Sequence, residues 1–115
     1  MLGRFFKRFG KKSALVKGTH KLEEGQSKVV NLGDPLAGGV QVVLSRIDGQ
    51  IYALDSLCPH EKGRLVGGPL HDGSVLCPLH NYLFDAKSGK VVRGVCANAK
   101  TYPAEEKDGD CEVWI

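Results

Sequence analysis

The sequence predicts a small antiparallel all-β domain. Three observations carry that expectation. Beyond residue 17 the apolar residues come in short alternating segments rather than at helical spacing. Asp48-Gly49, Asp72-Gly73, Ser88-Gly89 and Asp108-Gly109 break those segments with hairpin-type turn pairs. Fifteen Gly and five Pro in 115 residues suit a chain that reverses often.

Taken in order, Leu2, Phe5, Phe6 and Phe9 recur at one helix face, with Arg4, Lys7, Arg8, Lys11 and Lys12 around them. Gly10 weakens a helix there. Residues 1–17 are read as a basic amphipathic extension: a solvated tail, a segment that touches an anionic membrane surface or an acidic partner, or a short stretch resembling an organelle presequence. Residues 18–115 are read as one domain. Residues 28–32 form a first strand and 34–39 a loop. Val40–Ile47 and Gln50–Asp55 flank Asp48-Gly49 as a hairpin. Ser74–Cys77 follows Asp72-Gly73. Residues 83–85 and Val91–Arg93 flank Ser88-Gly89, and 111–115 close the domain. Gly67-Gly68-Pro69 is no phosphate loop, because no helix signal follows it.

Charge divides at the same boundary. Residues 1–17 hold six Lys and Arg and no acid, while the remainder holds ten Lys and Arg against thirteen Asp and Glu. The basic balance is a property of the extension, so no nucleic-acid partner is expected. No apolar run approaches the roughly 20 residues of a membrane-spanning helix, and no secretory signal pattern is visible. The expected compartment is the cytoplasm, where four Cys suggest metal ligands or free thiols rather than disulfides.

Cys58-Pro-His60 and Cys77-Pro-Leu-His80 dominate the chain. Each segment offers one thiol and one imidazole, and a Pro after each Cys stiffens the loop by fixing φ. Two Cys and two His would satisfy tetrahedral zinc. The single residue between Cys58 and His60 is tighter than the usual zinc spacing, and each segment mixes ligand types. A zinc-binding interaction module stays open on the residues alone.

Cys-x-His followed by Cys-x-x-His resembles the ligand pattern of Rieske-type [2Fe–2S] proteins. Phe84-Asp85, Ser88-Gly89, Tyr102-Pro103 and the Asp108-Gly109 hairpin resemble that family as well, over about residues 20–115. The resemblance implies an antiparallel β-sandwich or barrel with both cluster loops at one tip. It implies that Cys58 and Cys77 hold one iron and His60 and His80 the other. Neutral imidazoles in place of two thiolates raise the potential of such a cluster.

High-potential members of the family carry an extra Cys in each loop and hydroxyl donors after the last His. The matching positions here are Gly63, Leu79, Tyr82 and Phe84. A potential near the low end of the Rieske range of about −150 to +300 mV is expected. No nucleophile or acid–base pair stands out. The resemblance therefore implies a single-electron carrier, a ferredoxin component between a flavin reductase and a terminal oxygenase. The second reading is a small subunit of NADH-dependent nitrite reductase, which Asn81 and Cys96 favour. Docking is expected around the imidazoles, with Pro59, Pro78 and Leu79 at the centre. His20 and His71 are expected to be exposed, Cys96 and Cys111 to be free thiols, and Trp114 to lie on a sheet face or in the core. Lys62 and Arg64 either shape the surface near the cluster or are solvated charges.

Overall fold

The computed structural model describes residues 12–33, 38–59 and 63–115. Among them are eleven strands: β1 (Ser13–Val16), β2 (Gln26–Leu32), β3 (Val40–Ile47), β4 (Gln50–Asp55), β5 (Gly68–Pro69), β6 (Ser74–Cys77), β7 (Tyr82–Asp85), β8 (Val91–Arg93), β9 (Thr101–Tyr102), β10 (Ala104–Lys107) and β11 (Asp110–Trp114). They form three antiparallel sheets, β5-β2-β3-β4-β9, β1-β11-β10 and β6-β7-β8. The all-β expectation holds.

Alternation along β3 and β4 explains how the sheets stack. Val43 and Leu54 pair across the two strands and enter one core with Val75, Phe84, Cys58 and Cys77. Val42, Leu44, Ile51 and Ala53 enter a second core with Cys111 and Val113. Successive side chains of a strand point to opposite faces, so the middle sheet is covered on both. Val42, Val43 and Leu44 are accordingly all fully buried. At about 25 cal/mol per Å² of apolar surface, each such side chain contributes roughly 1.5–3 kcal/mol.

The Asp-Gly pairs do what their spacing suggests. Asp48, Asp72 and Asp108 have φ of 53°, 51° and 55°, and the glycines after them have φ of 79°, 77° and 84°. Left-handed conformation at both positions matches the right-handed twist of the flanking strands.

Strands β3, β4, β6 and β8 have the bounds expected from sequence, and β2, β7 and β11 differ by one or two residues. Four strands escaped the sequence pattern: β1, β5, β9 and β10. Gly68–Pro69 and Thr101–Tyr102 are two-residue edges with no periodicity to detect. Ser13–Val16 lies inside the stretch assigned to the basic extension, yet it pairs with β11 from Ser13↔Trp114 to Val16↔Cys111. The sheet therefore takes in residues the charge pattern had set apart. Residues 1–11, including the expected helical face, and residues 34–37 of the expected loop lie outside the described residues.

Candidate metal centre

Both ligand segments are hairpin tips beside the first core. The first leaves β4 at Asp55. Leu57 bridges Arg64, and the Cys58 amide donates to the Gly63 carbonyl at 2.8 Å. These bonds close the excursion between Cys58 and Gly63. His60 and Lys62 belong to that excursion and lie outside the described residues.

Five side chains hold the base of this loop. One Asp55 carboxylate oxygen accepts the Leu57 amide at 2.8 Å, and the other accepts the Tyr102 hydroxyl at 2.8 Å. Burial, then the Asp55 carboxylate, pushes the Tyr102 phenol far above its ordinary value. Ser56 Oγ donates to Gln41 Oε1 at 2.8 Å and accepts from Arg64 at 2.9 Å. The sequence marked Tyr102 only by family likeness and did not mark Asp55, Ser56 or Gln41. An Asp followed closely by a ligand loop is the one signal that could have suggested this Asx-type anchor.

The second segment is the β6–β7 turn. Cys77 pairs with Tyr82, so Pro78, Leu79, His80 and Asn81 form the tip. His80 and Asn81 have φ of 66° and 57°. Two successive non-glycine residues in the left-handed region are costly, and such strain concentrates where a side chain must be aimed. The strand β8 braces this turn. Arg93 Nε donates to the Asn81 carbonyl at 3.0 Å. Gly94, at φ 125°, lies so close to Tyr82 that any Cβ there would fall within its ring.

The two cysteines meet. Cys58 and Cys77 are 1% and 0% exposed and unbridged, and their side chains are hydrogen-bonded to each other. Burial raises the Cys77 thiol above its ordinary value, and the hydrogen bond and charge of Cys58 raise it further; the Leu79 amide pulls the other way. A buried Cys77 thiol held against a second sulfur resists ionisation unless a cation is present. Gly63 leaves space beside them, since a Cβ there would stand 3.1 Å from Cys77 Sγ. That donor set, with backbone cleared around sulfur, fits an iron–sulfur cluster. His80, Pro59, Pro78 and Leu79 are exposed at the surface of the same loops.

The other candidates separate as expected. His20 and His71 are exposed, and His20 Nδ1 lies 3.1 Å from the Gly109 carbonyl. Cys96 and Cys111 are both unbridged and belong to different cores. Cys96 packs beside the core that holds Cys58 and Cys77. Trp114 is half-buried on β11.

The fold defines an antiparallel β-protein in which two buried thiols meet beside two loops. Residues 12–103 match the family described as Rieske [2Fe–2S] domain, and the chain belongs to that family, whose domain carries one such cluster. The ferredoxin component of the Naphthalene 1,2-dioxygenase system of Pseudomonas putida is 40% identical over 68 residues, covering 58% of this chain and 65% of that protein. The Anthranilate 1,2-dioxygenase ferredoxin subunit of Burkholderia cepacia is 34% identical over 79 residues, covering 68% and 73%. The match thus spans just under two thirds of the length of the Pseudomonas relative. In fold, the ferredoxin of carbazole 1,9a-dioxygenase from Nocardioides aromaticivorans is similar with a TM-score of 0.74 at 23% identity, covering 89% of this chain and 96% of that one. A structure described as a putative NADH-dependent nitrite reductase small subunit from Mycobacterium tuberculosis is similar with a TM-score of 0.67 at 22% identity, covering 91% and 96%.

Proposed function

We propose that this chain is a single-electron carrier, the ferredoxin component of an oxygenase system, receiving electrons from a flavin reductase and passing them to a terminal oxygenase. Cys58 and Cys77 are the thiolate ligands of its cluster, and His60 and His80 are the imidazole ligands. The observation that carries the reading is the contact of two buried thiols, one of them opening the exposed, left-handed turn that holds His80. When bound, a [2Fe–2S] cluster takes up and releases one electron. The chain's own part is to hold sulfur away from water and to present the imidazole side to a partner. The dioxygenase ferredoxins among its relatives support the oxygenase system.

Nitrite reduction is the second reading, favoured by Asn81 after Cys-Pro-Leu-His and by the fold of the Mycobacterium protein. The cytoplasm is the proposed compartment. Contact with an anionic membrane surface belongs to the same proposal, and with β1 in the sheet it falls to residues 1–11.

The test is the purified protein's visible and EPR spectra, with iron and sulfide analysis. Two iron and two sulfide per chain, lost together in Cys58→Ala and Cys77→Ala, are expected. A colourless, zinc-containing protein made in iron-replete cells would overturn the assignment. A stable complex with a sirohaem subunit would shift it to nitrite reduction.

A further inference from the structure

Within residues 18–115, charge is divided along the same line as the sheets. Residues 57–100 contain both ligand loops and the β6-β7-β8 sheet, and carry six Lys and Arg against three Asp and Glu. The rest of residues 18–115 carries four against ten. Residues 1–17 add six Lys and Arg and no acid, so outside residues 57–100 the whole chain balances at ten against ten, and its net positive charge lies on the metal-centre side.

One arginine sits on the first ligand loop and another, at the end of β8, beside the second. Arg64 bridges Leu57 and is tied to Ser56 Oγ through Nη1 at 2.9 Å. Arg93 is tied through Nε to the Asn81 carbonyl at 3.0 Å. Both side chains are exposed. Each bond uses one of five guanidinium N–H donors, so each fork is oriented while other donors face solvent. The same loops and the segment after β8 expose apolar side chains, with Leu57 44%, Leu79 37% and Val95 91% exposed. The Asp55 carboxylate is engaged by Leu57 and Tyr102. Glu61 and Lys62 cancel in formal charge. At the other end of β4, six residues or about 20 Å away, Glu24 accepts the Asp48 and Gly49 amides at 2.7 and 2.9 Å.

We propose that the redox partner docks through a carboxylate-bearing rim, anchored by Arg64 on one ligand loop and Arg93 beside the other, around the apolar contact at Leu57, Leu79 and Val95. The proposal rests on the electron-carrier reading and names the partner's chemistry. Guanidinium forks match carboxylates in paired hydrogen bonds. Arginines beside apolar centres are the usual strong points of protein interfaces. A positive face over the metal centre also steers an acidic partner to the end where electrons leave.

The test uses the dithionite-reduced holoprotein and two outer-sphere oxidants, followed by stopped flow as salt is raised. Ferricyanide takes one electron to become ferrocyanide, and hexaamminecobalt(III) takes one to become cobalt(II). Oxidation by the anion should slow with salt, and oxidation by the cation should quicken, as the Debye length shortens to about 8 Å at physiological salt. The R64Q/R93Q variant should lose about tenfold of the low-salt ferricyanide rate. The K21Q/K107Q variant removes the same formal charge at the distant end and should lose less than about twofold. R64K/R93K, which keeps the charge, should restore most of the rate. Equal losses in the two glutamine variants, or salt slopes of the reverse sign, would overturn the proposal and leave the electron carrier standing. Failure of the holoprotein to take up and release one electron reversibly would remove both.

Discussion

Asp55 offers the sharpest test of how this fold holds its first ligand loop. Its carboxylate joins the Tyr102 hydroxyl on β9 to the Leu57 amide, each at 2.8 Å, one residue before Cys58. Asp55→Ala removes both bonds. Tyr102 is only 8% exposed, so its hydroxyl is left without its acceptor at a cost of about 2 kcal/mol, and the lost amide bond adds about 1 kcal/mol. Tyr102→Phe removes the hydroxyl and its bond together, for about 1.4 kcal/mol. In the Asp55→Ala background the hydroxyl no longer stabilises anything, so the double variant should cost no more than Asp55→Ala alone.

The assay is the rate at which the visible spectrum of the holoprotein bleaches in fixed guanidinium. With about 1.4 kcal/mol per tenfold, Asp55→Ala should bleach about 100-fold faster, Tyr102→Phe about 10-fold, and the double variant about 100-fold. Additive costs, giving about 1,000-fold in the double variant, would show that the two residues act independently and refute the clamp.

Three other outcomes follow from the geometry. The Arg46 Nη2–Glu106 Oε2 pair at 2.8 Å has side chains only 12% and 21% exposed, and Arg46 also reaches the carbonyls of Leu22, Thr19 and Gly49. The Arg46 hydrogen bond holds the Glu106 carboxyl below its ordinary value, against opposition from burial. The folded value lies below the unfolded one, so this stability is complete above about pH 5 and is lost as pH falls through the folded value. Glu106→Gln should lower the Tm by about 5–10 °C at pH 7, and thermal scans should show the gap closing towards pH 3; a gap independent of pH would contradict the pair.

A Cβ on Gly63 would lie 3.4 Å from Leu79 Cβ, at the short edge of disulfide separations. Gly63→Cys with Leu79→Cys should therefore oxidise to a bridge, and thiol titration before and after reduction would count it; two persistent extra thiols would count against this approach of the loops. Phe84 is fully buried and has no hydroxyl to offer sulfur. Donors to sulfur stabilise the reduced state, so the midpoint potential should lie below about 0 mV. A potential above about +200 mV in a redox titration would sink this account.

The candidate ligand motif, from which the family could be named, stands out in the sequence because its chemistry is local. Cys58, His60, Cys77 and His80 stand close together within two short segments, and a metal fixes which residue types and spacings those segments can have. The Asp-Gly turns were legible for a similar reason: two adjacent left-handed residues leave few alternatives to Asn, Asp and Gly. With the alternating apolar segments, the turns placed β3 and β4 with their bounds.

What the residue order could not supply was anything held by partners far along the chain. Strand β1 looks like the end of a basic extension, and only pairing with β11, almost a hundred residues away, makes it part of a sheet. Asp55 is an ordinary strand end until Tyr102 reaches it from 47 residues further on. The contact of Cys58 with Cys77, the bracing of the His80 turn by Arg93 and Gly94, and the separation of Cys96 from Cys111 into different cores likewise depend on how three sheets stack. Local chemistry is written in neighbouring residues. Burial, charge division and the placing of supports exist only once the chain has closed on itself, because each is a property of surfaces brought together by folding.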